Sequence, residues 1–232
     1  MHDHNQKWAA KTVIQLLVFV ILVPLLPLVL SRRWDWWEAW IFAFVCIGGF
    51  VASRFIVARR WPDLIAERAR FTDHKDIKSW DRILAPLVGL GGALIPLAAG
   101  LEALAGGTVV FSLPVKIAAL ALITAGYAFG AWALYENRFF SGVVRIQSDR
   151  RQQVVSHGPY RFIRHPGYAG ALLTYFATPI LLESPWAFVP AVFFAVVLVL
   201  RTSLEDNTLK EELEGYREYT QHVRFRLLPG IW

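Results

Sequence analysis

Cysteine is almost missing from this chain: Cys46 is the only one among 232 residues, and it lies inside an apolar run. A disulfide framework and a cysteine-based zinc site are therefore both excluded. No Walker-type phosphate loop is present. Gly89, Gly91 and Gly92 fall within another apolar run with no strand before them, so they are read as points of close helix approach rather than a phosphate cradle. The first apolar run follows Lys7 and Lys11 but lacks a small-residue cleavage site, which marks it as a retained span rather than a removed leader. His2 and His4 are read as part of a loose terminus, not as metal ligands. No basic soluble domain remains to carry nucleic-acid binding. The net charge of +6 instead reports topology and an attraction to anionic lipid.

What the chain does have is apolar length. Hydrophobic residues make up 56% of it, mean hydropathy is +0.42 and ten residues are Trp, a composition that predicts an integral membrane protein. Six runs carry no acidic or basic side chain: 13–30, 39–53, 83–101, 117–135, 167–182 and 184–200. Together they predict an all-α, multi-pass transmembrane bundle of about six spans. The first, third and fourth have 18 or 19 residues, close to the roughly 20 needed to cross a bilayer. The second is completed by Phe55 to Ala58 if Arg54 snorkels to the headgroups. The last two are short and separated by Glu183, which predicts a tight hairpin, because Pro179, Pro185 and Pro190 interrupt any single long helix.

With six spans, 21 of the 24 Lys and Arg fall on one side and only Arg32, Arg33 and Lys116 on the other. The basic side, with both termini, is expected to be cytoplasmic. Trp34, Trp36, Trp37 and Trp40 are expected to form an anchoring belt at the opposite face. The segment 59–82 mixes both charge signs and reads as a solvated or interfacial helix without a catalytic role. A division follows into amino-terminal spans, 1–135, and a carboxy-terminal functional region, 136–232.

Two polar motifs bracket the last apolar hairpin. HGPYRFIRHPGYAG, from His157 to Gly170, sets Arg161, Arg164 and His165 directly against a span, and RTSLEDNTLKEELEGYREY, from Arg201 to Tyr219, begins where the next span stops. Pro166 suits the first helical position, and the helix start it predicts presents a locally positive end. Gly158-Pro159 predicts a turn that folds the 145–160 segment back over that end. Arg201 and Glu205 are four apart and share a helix face, either as an ion pair or as joint contacts to a ligand.

The GPYRFIRHPGYAG motif, the apolar hairpin, the Arg-x-x-x-Glu block, Tyr216, Tyr219 and the closing VRFRLLPGIW resemble the isoprenylcysteine carboxyl methyltransferase family. The resemblance covers about 137–232. It implies a membrane enzyme using S-adenosylmethionine in a cytoplasmic pocket built from the last hairpin and the carboxy-terminal helix. By that resemblance Tyr160, His165, Pro166, Gly167, Tyr168 and Glu205 line the cofactor. Val154 and Val155 stand in a short strand-like segment beside it, and Arg201 takes the methyl-accepting substrate. The acidic pair is Glu205-Asp206 here instead of two glutamates, and Arg145 stands where a cofactor-contacting glutamine is found, with Gln147 two residues on.

The chemistry implied is one in-line displacement on a carboxylate, which needs no general base. Arg201 is expected to hold that carboxylate through two parallel hydrogen bonds. A lipid-like substrate would enter from the membrane. Rival readings are a phospholipid or amine methyltransferase, with His165 or Tyr168 as base, an NADPH-dependent membrane reductase similar to sterol reductases, and a non-enzymatic membrane scaffold.

Overall fold

The computed structural model describes residues 19–69, 74–107 and 109–232. The expectations for His2, His4 and residues 13–18 lie outside them. Among the described residues the chain is all-helical, in keeping with its apolar runs. The helices are α1 (Phe19–Ser31), α2 (Trp37–Arg60), α3 (Pro62–Ala69), α4 (Asp81–Leu104), α5 (Leu113–Glu136), α6 (Pro166–Leu181), α7 (Phe188–Glu212) and α8 (Tyr216–His222). Four of them, α2, α4, α5 and α7, are long and apolar enough to cross a membrane.

The hairpin forms for local reasons. α6 begins at Pro166, whose missing amide hydrogen costs nothing at the first helical position. It ends after 16 residues, about 24 Å at 1.5 Å per residue, so it is shorter than a typical hydrocarbon core. Glu183 then takes a left-handed φ of 53°, and a 3-10 turn at Pro185–Ala187 leads into α7. α7 does not stop at Leu200 as its apolar run does. It continues to Glu212 and carries Arg201, Glu205 and Asp206 beyond the apolar layer on a rigid rod.

Packing joins both halves of the chain. One buried cluster takes Leu28, Trp36, Phe42, Ile95, Ile123, Leu181, Phe194 and Leu198 from six helices and the α1–α2 turn. Small residues let backbones approach: a Cβ on Gly126 would lie 2.5 Å from the Gly170 carbonyl, and one on Gly170 would lie 2.6 Å from the Gly126 carbonyl. α5 and α6 therefore meet backbone to backbone. Gly91 and Gly92 serve the same purpose against Phe194 and Tyr175, whereas Gly89 faces open space.

The belt reading needs one correction. Trp34, Trp37 and Trp40 are exposed, but Trp36 is buried in the main cluster, because the turn between α1 and α2 points its indole inward. At the same end Lys116 is bonded to Glu38 (2.5 Å) and Glu183 (3.0 Å), tying α2, α5 and the hairpin together. Exposed apolar side chains such as Phe44, Ile83, Val189 and Val196 cover the outer faces, as expected for surfaces that meet lipid tails.

Candidate active site

The site lies where α2 and α5 end, α4 and α6 begin, and α7 leaves the apolar layer. Its walls are built from the connection between α5 and α6. Asn137 turns the chain by accepting the Phe139 amide (2.8 Å). Gln147, fully buried, then closes the following loop: its backbone N–H donates to Gln152 (2.7 Å), its side-chain amide donates to the Phe139 carbonyl (2.7 Å) and its oxygen accepts from Arg150 (2.5 Å). Residues 152–156 form neither helix nor strand. Gly158, at a φ of 59°, starts the turn that brings Tyr160 beneath α5.

One cavity is enclosed by these segments. Val154, Val155, Tyr160, His165, Pro166, Gly167, Tyr168, Arg201 and Glu205 all line it, as do Phe139, Phe140, Arg145, Gln147, Leu209, Leu213, Tyr216 and Tyr219. Its non-atom space, open mouth and adjoining solvent included, is about 830 Å³.

The polar groups on its wall are coupled. The Tyr168 hydroxyl donates to Glu205 (2.6 Å) and accepts from Arg201 Nη1 (2.6 Å). Arg201 and Glu205, although four apart on α7, thus communicate through Tyr168 of α6. The rest of the Arg201 guanidinium is committed elsewhere. Its Nε and Nη2 donate to the two oxygens of Asp81 (2.6 and 3.0 Å), and Nη2 also reaches the Gly142 carbonyl (3.1 Å). Of five N–H groups, one on Nη1 remains. A two-pronged grip on a substrate carboxylate, as the sequence suggested, would require Asp81 to leave.

Asp81 and its neighbours overturn the reading of segment 59–82 as merely solvated. Asp81 is completely buried and accepts the Val144 amide (2.6 Å) as well as Arg201, so it fixes both a cavity wall and the guanidinium. Glu67 of α3 is also buried and holds Arg145 (2.7 Å), which further binds Asp76 (3.0 Å) and Asp149 (2.9 Å). Burial alone would lower the pKa of Arg145, but Asp149, Glu67 and Asp76 outweigh it and hold the pKa above its ordinary value.

A second buried clamp holds the carboxy-terminal tail. Arg164 donates to both oxygens of Asp206 (2.7 and 3.0 Å) and to the Val223 and Arg224 carbonyls (2.8 and 2.7 Å). Lys210 and Arg226 add bonds to Asp206 of 2.7 and 2.9 Å. Asp206 is therefore a structural hub, while Glu205 beside it remains half-buried at the cavity. Tyr219 donates to the Tyr160 carbonyl (2.5 Å), and the Tyr160 hydroxyl is bonded to Asn137 and to the Ala133 carbonyl. Burial pushes the Tyr160 phenol well above its usual pKa, so it stays neutral and offers the cavity its ring.

Two buried nitrogens of cavity-lining residues have no hydrogen-bond partner among the described residues: Arg145 Nε and His165 Nε2, the latter 3.5 Å from Asp206. Such orphaned groups are costly unless a ligand satisfies them. They suit the amino-acid carboxylate of an S-adenosyl cofactor, Glu205 suits its ammonium, and Val154, Leu209 and Leu213 offer apolar surface. The residues present fit that group. Gln147 does not take part, because its amide is consumed within the loop.

Comparison with known proteins finds similarity over the carboxy-terminal part of the chain. Residues 115–214 match the family described as phospholipid methyltransferase. A probable protein-S-isoprenylcysteine O-methyltransferase of Oryza sativa subsp. indica is 33% identical over 109 residues, covering 45% of this chain and 50% of the relative. Protein-S-isoprenylcysteine O-methyltransferase B of Arabidopsis thaliana is 32% identical over 108 residues, 44% of this chain and 48% of the relative. The chain spans about half the length of these relatives. Over its carboxy-terminal part the chain is therefore similar to the phospholipid methyltransferase family and to these isoprenylcysteine O-methyltransferases.

Proposed function

We propose that this protein is an integral-membrane, S-adenosylmethionine-dependent methyltransferase acting on the carboxylate of a lipid-like substrate of the isoprenylcysteine type. The observation that carries the reading is the meeting of residues from three separate stretches, Val154–Tyr160, His165–Tyr168 and Arg201–Glu205, around one cavity beside exposed apolar faces.

When bound, the cofactor supplies an electrophilic methyl group on a sulfonium. Glu205 and Arg145, with His165 beside them, would hold its amino-acid end, and Tyr160, Pro166, Gly167 and Tyr168 would enclose its body. Arg201 would orient the acceptor carboxylate through its remaining Nη1 hydrogen. Asp81 and Tyr168 hold that guanidinium still. Orientation of this kind can remove about 7–11 kcal/mol from a barrier in the best cases. A carboxylate is already deprotonated, so no side chain needs to take a proton. The basic end of the bundle, with both termini, would face the cytoplasm.

The test is methyl transfer from labelled S-adenosylmethionine to S-farnesyl-N-acetylcysteine by the detergent-purified protein. The expected product releases labelled methanol in mild alkali, because it is an ester. No label on this substrate together with alkali-stable label on an amine-bearing phospholipid would identify an amine acceptor instead, and NADPH binding without cofactor binding would identify a reductase. Glu205→Ala is expected to abolish transfer while leaving the helical content unchanged. Full activity in that variant would remove the site assignment.

A further inference from the structure

Most cations that line or border the cavity are already neutralised. Arg145 is held by three carboxylates, Arg164 by Asp206 and Arg201 by Asp81. Arg68, with Arg54 near it, is different. Among the described residues it pairs with no carboxylate. Its Nη1 donates to the Phe140 carbonyl (3.1 Å), and its guanidinium lies 5.3 Å from the centre of the Phe140 ring.

That position is part of the cavity's framework. Phe140 lines the cavity, and its ring covers Gly167 so closely that a Cβ there would sit 2.6 Å from it. α3, which carries Arg68, is seated by Leu64 on Val57 and Leu134, with Phe140 packed against the same cluster. The guanidinium therefore stands one aromatic ring from the start of α6. Among the described residues its one hydrogen bond is to the Phe140 carbonyl, in a half-buried setting, and a desolvated cation without a counter-charge is costly.

Resting on the carboxyl methyltransferase reading, we infer that Arg68 receives the carboxylate of the methyl acceptor, together with the Nη1 hydrogen that Arg201 has left. Arg201 fixes the direction of one oxygen, and Arg68 supplies the counter-charge that Asp81 has already taken from Arg201. Burial, with the neighbouring positive charges of Arg54 and Arg201 opposed only by Tyr168, pulls the pKa of Arg68 down to about 9. An arriving carboxylate supplies the counter-charge that Arg68 lacks among the described residues. An acceptor lacking the negative charge would leave Arg68 uncompensated, so Arg68 acts as a specificity determinant outside the carboxy-terminal motif.

The experiment compares S-farnesyl-N-acetylcysteine with its carboxamide by calorimetry, using full-length protein saturated with S-adenosylhomocysteine. In the unsubstituted protein the acid is expected to bind roughly tenfold more tightly than the amide, the scale of one charged hydrogen bond. Arg68→Gln should remove most of that preference while changing S-adenosylhomocysteine affinity less than about twofold. Arg68→Lys should restore part of the preference, a rescue that a purely structural role would not produce. If Arg68→Gln no longer binds S-adenosylhomocysteine, Arg68→Met replaces it as an uncharged variant of similar length, and loss of the cofactor there too overturns the inference. An undiminished acid preference in Arg68→Gln, or none in the unsubstituted protein, also overturns it. If the unsubstituted protein fails to bind S-adenosylhomocysteine, the methyltransferase reading itself falls, and the inference with it.

Discussion

Asp81 and Arg201 are 120 positions apart in sequence and share two short hydrogen bonds in the fold. Both are buried, so removing one partner strands a charge, a loss of about 3–5 kcal/mol for such pairs. Asp81→Asn should therefore lower the melting temperature markedly in detergent. Asp81→Asn combined with Arg201→Gln should be less destabilised than the sum of the single variants, and strict additivity in thermal unfolding would show that the pair is not coupled. The sequence made Arg201 visible because it stands at a fixed offset in a dense motif. Its partner was not legible: Asp81 sits in a segment of mixed charge that resembles any solvated helix, and only tertiary packing selects it from its acidic neighbours. Arg68 was hidden for the same reason. Trp36 was misread because residue type alone separates an interfacial indole poorly from a core one.

At the scale of elements, the critical joint is α5 against α6. Gly126 of α5 faces the Gly170 carbonyl, and Thr174 also borders it, so any Cβ must push two helix backbones apart. Gly126→Val should cost at or above the about 1–3 kcal/mol usual for overpacking, seen as a lower melting temperature. Gly89→Val, with nothing near its Cβ, should leave it nearly unchanged. The loop between these helices depends on charge. A hydrogen bond from Arg145 holds the Asp149 carboxyl below its ordinary 3.8. A carboxyl depressed on folding contributes stability above its unfolded pKa and loses it as pH falls through the folded value. Protease resistance of the 137–157 loop should thus be unchanged between pH 7 and pH 5 and decline only below about pH 3.8. Loosening already at pH 5 would contradict this. The helices themselves were legible from apolar length and proline placement. The extension of α7 to Glu212 was not, because polar residues continue a helix without continuing the apolar run.

For the whole molecule, the distribution of Lys and Arg predicts that the end carrying the cavity faces the cytoplasm. Cys46 is buried, so the native protein should be silent to membrane-impermeant thiol reagents. Cysteines placed at exposed Arg161 and Trp186 should then react from opposite sides of the membrane, Arg161→Cys from the cytoplasmic side. Reaction of both from one side would refute the topology. The convergence on which function depends unites the carboxy-terminal motif with Asp81 and α3 of the amino-terminal half, so neither part alone presents the complete site. Calorimetric titration of the detergent-purified protein with S-adenosylhomocysteine tests that convergence most directly. The account predicts saturable binding at one site, strongly weakened by Glu205→Ala. Absence of binding, or binding unaffected by Glu205→Ala, would contradict it.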